Sequence, residues 1–407
     1  MVKISIKTGQ WEKTMLTPGI LSGKPNFPDF IPLTFPNLPD LSELQQSFQE
    51  ILQTGMITNG SYVKKLENAI KSKLKVRHVL AVNTCTSGLI LVLKALKLKG
   101  EVIIPSFTFC ATLHSLNWNQ LTPVFVDIEQ KTLNLDPKRV EMAINKKTAA
   151  ILGLHIYGNP CAVNKLTKIA KKYEIPLIFD AAHALGAKVG NTFIGNFGTA
   201  EIFSLSPTKC ITSGEGGIIA TNNTKLYEKV KVLRNYGDPG DYNCIDVGIN
   251  ARMSEFHAIV GLKSYKRLQG EIRFRQQYNE IMLKVLHKIP GIAFPKIEAK
   301  NLCNFKDFTM IIDEKKFGLN RDQLALCLRK DNVDSRFYFF PPQHQQKAYP
   351  RLGRSFKNKL PITDKISRKV ISLPIYKKMT LYKVKILAML ISSIYKNSHI
   401  IKKKLDE

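Results

Sequence analysis

HVLAVNTCTSGLILVLKALKLKGEVIIP, residues 78–105, decides the fold. It opens with an unbroken apolar run, HVLAVN (78–83), that reads as a strand. TSGLILVLKALKL (86–98) follows in a helical pattern, and EVIIP (101–105) is a second apolar strand. Strands that are apolar throughout, rather than alternating, belong in a sheet covered on both faces.

The pattern continues in both directions. A helix runs through Trp118, and PVFVDI (123–128), AAILGLH (149–155) and PLIFDAA (176–182) read as strands with helical segments at 136–145 and 162–173. EIFSL (201–205) and GGIIATN (216–222) follow with only a short link. The expectation is an α/β protein, a three-layer α/β/α sandwich around a mostly parallel sheet. Upstream, two helices are expected, from about Leu41 to Thr54 and from Ser61 to Leu74, after a proline- and glycine-rich lead-in. Beyond residue 250 the pattern changes. Residues 251–289 are largely helical, followed by FKDFTMIID (305–313), a helix from about Arg321 to Lys330, an extended DSRFYFFPP (334–342) and a terminal helix starting near Thr380. The expected organisation is an arm at 1–35, a large domain at 36–250, and an interdomain helix with a smaller α+β domain at 251–407. That division suits a chain of 407 residues, which exceeds one ordinary domain.

The bulk composition narrows the classes of function. Hydrophobic residues make up 44%, enough for a sizeable core. The net charge of +29 favours acidic partners. Its lysines are dispersed, however, and the densest runs are Lys377-Lys378 and Lys402-Lys403-Lys404. No arginine-rich arm or aromatic-interleaved basic stretch accompanies them, so the charge reads as a solvated surface and not as a nucleic-acid interface. Seven cysteines, an odd number with no CxxC pair, indicate neither a disulfide framework nor a zinc site and suit a reducing cytoplasm. The N-terminal MVKISIKTGQWEKTM lacks a signal peptide's apolar run, and ILAMLISSI (386–394) is too short to span a bilayer.

In open parallel sheets ligands bind beyond the carboxyl ends of the strands. Several polar stretches fall at those ends. NTCTSG (83–88) places small and hydroxyl residues at a helix N-terminus, a phosphate-binding arrangement. An ordinary cap by Thr84 or Thr86 explains the same residues. The stretch matches neither GxxxxGK[ST] nor GxGxxG. PSFTFCAT (105–112) puts aromatics past the next strand, available for a flat ring or for the core. Asp180 ends an apolar strand, where a carboxylate needs a cationic partner, and His183 follows it. Ser204 and Lys209 come next, in FSLSPTK, with GEGG (214–217) behind them. A lysine held near an apolar site can act as a nucleophile toward an aldehyde. Cradle, aromatic, acid, serine and lysine together suit pyridoxal phosphate chemistry.

These residues lie in motifs that resemble the sugar aminotransferases of the DegT/DnrJ/EryC/StrS group. The motifs are TGMITNGSYVKKLE (54–67), VNTCTSGL (82–89), VIIPSFTFCAT (102–112), PVFVDIEQKTLNLDP (123–137), HIYGNP (155–160), IFDAAHALGA (178–187), FSLSPTKCITSGEGGIIAT (203–221), LRNYG (233–237) and GINARMSEFHAIVGL (248–262). The resemblance covers nearly the whole chain, from about Phe30 to about Met379. It implies the aspartate-aminotransferase (type I) fold with pyridoxal 5'-phosphate as cofactor. Lys209 would bond the cofactor aldehyde as a Schiff base and shuttle the proton to the substrate carbon. Asp180 would hold the pyridine nitrogen protonated, and Phe109 would stack on the ring. Cys85, Thr86 and Ser204 would bind the phosphate, and His183 would line the pocket. Asn250 would reach the phosphate of a neighbouring subunit across a homodimer interface.

The implied substrates are L-glutamate as donor and a nucleotide-linked keto-sugar as acceptor, with no nucleic acid and no membrane as partner. The amino-sugar product would feed a polysaccharide or glycoconjugate. Many relatives carry glycine where Cys85 stands, which implies an altered cradle whose backbone N–H still donates. Relatives with histidine at the lysine position are sugar dehydratases, and Lys209 argues against that. Two alternatives stay open: an aminotransferase for a cyclitol or other cyclic ketone, and a non-catalytic binding protein of the same fold.

Overall fold

The structure is a computed structural model that describes residues 16–407. Nine strands lie between residues 78 and 221: β1 (His78–Val82), β2 (Glu101–Pro105), β3 (Thr122–Val126), β4 (Thr148–Leu154), β5 (Leu177–Asp180), β6 (Lys188–Val189), β7 (Thr192–Phe193), β8 (Ala200–Ser204) and β9 (Gly217–Thr221). Seven of them form one sheet in the order β1-β9-β8-β5-β4-β2-β3. Apolar side chains on both faces are buried, as in β4, where Ile151 and Leu152 point opposite ways and both are fully buried. Helices Cys85–Ala95, Cys110–Trp118 and Val163–Lys172 make the crossovers.

The pairs β2/β3, β2/β4, β4/β5 and β5/β8 are parallel. β9 is the exception, running antiparallel to both β8 and β1. The link from β8 to β9 holds no helix, so the chain returns directly instead of crossing over. β1 and β8 therefore share the direction of the parallel strands. All carboxyl ends but that of β9 open on one edge, and the amino end of β9 joins them there.

A second, antiparallel sheet, β10 (Ile292–Ala293), β12 (Phe308–Ile312) and β13 (Val370–Leu373), follows in the order β10-β12-β13. A short strand between them, β11 (Asn301–Leu302), pairs instead with β6. Helices Leu268–Leu286, Arg321–Lys330 and Leu381–Lys396 pack on the second sheet around Tyr278, Met310, Leu328, Leu387 and Ile391. Ile20, Phe27 and Ile31 of the N-terminal segment belong to this same core. The Asp331 carboxylate fixes that segment by accepting from the backbone N–H of Gly19 and Asn26, each at 2.9 Å. The first 15 residues of the expected arm lie outside the described residues.

Two expectations need correction. The extended reading of 334–342 holds only as far as Arg336, which bridges Ser372. The chain then turns at 338–341, where consecutive prolines 341 and 342 offer no N–H to a ladder. The terminal helix is two helices, Leu381–Lys396 capped by the Thr380 hydroxyl and Ser398–Asp406, separated at Asn397. No helix of the described residues is long and apolar enough to cross a membrane.

Candidate active site

A cavity of about 410 Å³ opens at the carboxyl edge of the large sheet. Thr84 caps the helix that follows β1, its hydroxyl accepting from the Ser87 N–H at 3.0 Å. The capping explanation holds for Thr84, which ties down the first turn and leaves Cys85 and Thr86 lining the cavity. β9 braces this turn from behind. A Cβ on Gly217 would stand 2.5 Å from the Thr84 carbonyl carbon and oxygen, so only glycine admits so close an approach. The Cys85 thiol donates weakly to the Ile202 carbonyl at 3.7 Å. Burial, reinforced by the charge of Asp180, pushes its pKa well up, so it remains a neutral thiol.

Phe109 stands at the N-cap of the next helix, 55% exposed and facing the cavity, an unusual place for a phenylalanine that merely packs. Asp180 ends β5 and is buried. Its Oδ2 accepts from the Thr112 hydroxyl at 2.7 Å and its Oδ1 from the Ala182 N–H at 3.1 Å. Burial raises its pKa, while Thr112, the Ala182 N–H and then Lys209 pull the other way. His183 accepts from the Tyr157 N–H through Nδ1 at 3.2 Å and lies parallel to Phe339, ring centres 6.1 Å apart. Burial, with the Lys209 and Lys306 charges beside it, holds its pKa well below the ordinary value, so it is a neutral ring.

Ser204 closes β8, and its hydroxyl accepts from the Ser206 N–H at 3.3 Å. The chain turns through Ser206, whose carbonyl accepts from the Lys209 N–H at 3.1 Å. That turn aims the half-buried Lys209 into the cavity. Among the described residues nothing hydrogen-bonds or ion-pairs its Nζ. Burial first, and Lys306 second, lower its pKa to about 8. A carboxylate, an exposed aromatic ring, a hydroxyl-lined helix N-terminus and an unpartnered, readily deprotonated amine thus share one cavity. These residues fit pyridoxal phosphate: a nucleophile for its aldehyde, an acid for its ring nitrogen and donors for its phosphate.

Seven of the expected residues line this cavity: Cys85, Thr86, Phe109, Asp180, His183, Ser204 and Lys209. Asn250 does not. It is exposed, and its carbonyl accepts from Asn83 Nδ2 at 3.2 Å. Sequence reasoning missed Thr112, one turn along the helix behind Phe109. It also missed Lys306, which the second sheet brings to the cavity wall beside Tyr338 and Phe339. The signal for Lys306 was a charged pair, Lys306-Asp307, leading into the apolar strand β12.

Comparison with known proteins agrees with this geometry. The pattern of the DegT/DnrJ/EryC1/StrS aminotransferase family matches residues 40–391. The chain is similar to the dTDP-4-amino-4,6-dideoxy-D-glucose transaminase of Escherichia coli, 36% identical over 349 residues, covering 85% of this chain and 94% of that protein. The Shigella dysenteriae protein of the same name is also 36% identical, covering 86% and 94%. Among solved structures it resembles DesI crystallised in the presence of its TDP-sugar product, with a TM-score of 0.89, 31% identity, and coverage of 96% of this chain and 99% of that one. The chain is therefore a pyridoxal-phosphate-dependent sugar aminotransferase and belongs to the DegT/DnrJ/EryC1/StrS aminotransferase family.

Proposed function

We propose that the protein moves an amino group from L-glutamate to the keto carbon of a nucleotide-linked sugar, leaving 2-oxoglutarate and an amino sugar. The 4-position of a 6-deoxy sugar is the favoured site, because the two transaminases it resembles are named for a 4-amino-4,6-dideoxy sugar. The observation that carries the reading is Lys209, an amine without a partner among the described residues and with a pKa near 8, in one cavity with the Thr112-held Asp180.

Bound there, pyridoxal phosphate supplies an aldehyde for the migrating nitrogen and a ring that accepts the electron pair released at the donor carbon. Asp180 would hold the ring nitrogen and keep a proton there by its negative charge. Lys209 Nζ is the base that lifts the proton from the donor carbon and the acid that returns it to the sugar carbon. Its pKa near neutrality suits both duties. Cys85, Thr86 and Ser204 would hold the phosphate, Phe109 would stack on the ring, and His183 would line the pocket as a neutral wall. The reading includes a homodimer in which Asn250 reaches the partner's phosphate site. Exposed apolar Tyr242, Ile245 and Val247 just before Asn250 give that contact a surface. All seven cysteines are unbridged, in keeping with a cytoplasmic reaction.

The test is the visible spectrum of the protein loaded with pyridoxal phosphate, before and after L-glutamate. The expected result is an absorption band that glutamate bleaches in the native protein and that is missing in Lys209→Ala, with turnover abolished. A band indifferent to glutamate rejects the donor, and near-native turnover by Lys209→Ala rejects the mechanism.

A further inference from the structure

Lys306 is a second lysine in the cavity wall, and nothing in the chemistry above uses it. It is only 4% exposed, yet it faces the same cavity as Lys209. Its Nζ donates to Asp307 Oδ1 at 2.7 Å and lies 5.2 Å from the Tyr338 ring centre. An ammonium has three N–H donors, so capacity remains for a ligand.

The residue is also held in place. Its backbone N–H donates to Asn304 Oδ1 at 3.1 Å, and Asn304 Nδ2 donates to the carbonyls of His183 and Leu185 at 2.8 and 2.9 Å. The carbonyl of Lys306 accepts from Arg275 Nη1 at 3.0 Å. The loop after β5, which follows Asp180 and carries His183, therefore sets the position of Lys306. The pair with Asp307 is not self-sufficient, since Asp307 Oδ2 is buried without a hydrogen-bond partner. A buried ion pair is weak evidence of a stabilising role, and this one opens on the reacting groups.

We propose that Lys306 anchors the carboxylate attached to the reacting carbon of the amino-acid donor. The proposal rests on the aminotransferase reading with an amino-acid donor. A donor carboxylate sits one bond from the reacting carbon and must lie beside Lys209. A carboxylate buried there without a cation would be strongly disfavoured. Among the described residues, Lys209 and Lys306 are the cations lining the cavity, against the acids Asp180 and Glu215, and Lys209 is committed to the cofactor. The diphosphate of a nucleotide sugar is joined at the anomeric carbon, several bonds from the keto group, and so reaches outward from this wall.

The experiment compares native protein with Lys306→Met, Lys306→Arg and the double variant Lys306→Met/Asp307→Leu, all loaded with pyridoxal phosphate. The double variant leaves no unpaired buried acid and guards against misfolding. Calorimetry measures the binding of α-methyl-L-glutamate, which has no proton to lose at the reacting carbon, and separately of thymidine diphosphate. The retained visible spectrum reports cofactor binding. Removing a charged hydrogen bond is expected to weaken α-methyl-L-glutamate by about 10–100-fold in both methionine variants. Arginine is expected to restore most of it, with thymidine diphosphate and cofactor unchanged. Native-like binding of the amino acid by the methionine variants overturns the proposal, as does a loss confined to thymidine diphosphate or shared equally with the cofactor. If native protein binds none of α-methyl-L-glutamate, L-alanine and L-glutamine, the amino-acid donor itself falls, and the anchor falls with it.

Discussion

The Thr112 hydroxyl donates to Asp180 Oδ2 at 2.7 Å, joining the helix behind Phe109 to the end of β5. Thr108 Oγ1 lies 2.8 Å from Thr112 Oγ1 and extends the chain of hydroxyls. Burial works against the charged form of Asp180, and Thr112 is the largest influence opposing it. Thr112→Val keeps the shape and removes the donor. It should raise the carboxyl pKa further, weaken the hold on a protonated ring nitrogen, and lower kcat by roughly tenfold, the scale of one hydrogen bond to a charged group. Thr112→Ser should recover most of it. Half-reaction rates with L-glutamate check both.

Lys209 leads to a pH prediction whose sign is fixed. Its pKa is about 8 in the fold, against 10.5 ordinarily. The neutral amine is the form that bonds an aldehyde, so cofactor uptake by the apoprotein should rise about tenfold per pH unit below pH 8 and level off above it. Stability follows the same shift. Between about pH 8 and 10.5 the unfolded chain binds more protons than the folded one. This residue's contribution therefore becomes more favourable as pH rises through that window, and its penalty is complete below it. Lys209→Met should abolish both dependences, read by stopped-flow absorbance and by denaturant titration of the apoprotein.

Phe109 is more than half exposed, so Phe109→Ala should leave the melting temperature of the apoprotein nearly unchanged. Its loss should instead weaken pyridoxal phosphate by about 3–10-fold, the scale of one aromatic pairing. Equilibrium titration of the apoprotein with the cofactor measures this directly.

Gly217→Ala tests the brace behind the cradle. The added methyl meets the backbone of Thr84 and the Cys85 nitrogen, which cannot swing aside as a side chain would. We expect a loss of about 1–3 kcal/mol of stability, with weaker binding of inorganic phosphate and of pyridoxal phosphate alike. Urea unfolding and phosphate-competition titrations supply the two readouts.

The legible part of the site sits at the ends of strands. Asp180, Ser204 and Lys209 follow apolar runs so plain that their place at the sheet edge could be stated from the sequence, and the structure sets all three on one cavity. Thr112 was hidden because a threonine in a helix has no distinctive pattern, and its partner lies 68 residues away. Lys306, Tyr338 and Phe339 reach the wall through the packing of a second sheet on the first, which no local periodicity encodes. The reversal of β9 was implicit in the short link before it, although the apolar run alone could not give its direction. The turn at 338–341 was misread because aromatic residues favour strands until the prolines beyond them are weighed.

The reversed β9 has a bearing on how the protein tolerates changes in length. The segment 205–216 leaves the sheet at Ser204, presents Lys209, and re-enters at Gly217 directly behind Thr84. Both its ends are thus pinned, and the reactive amine sits between them like a bead on a taut cord. One residue added or removed there would shift the lysine relative to Asp180 and the phosphate cradle together. The exposed turn at 145–147, between a helix and β4 and remote from the carboxyl edge, has no such double anchorage against this cavity and can absorb insertions. Library designs that vary loop length should therefore spare 205–216 and concentrate on the surface.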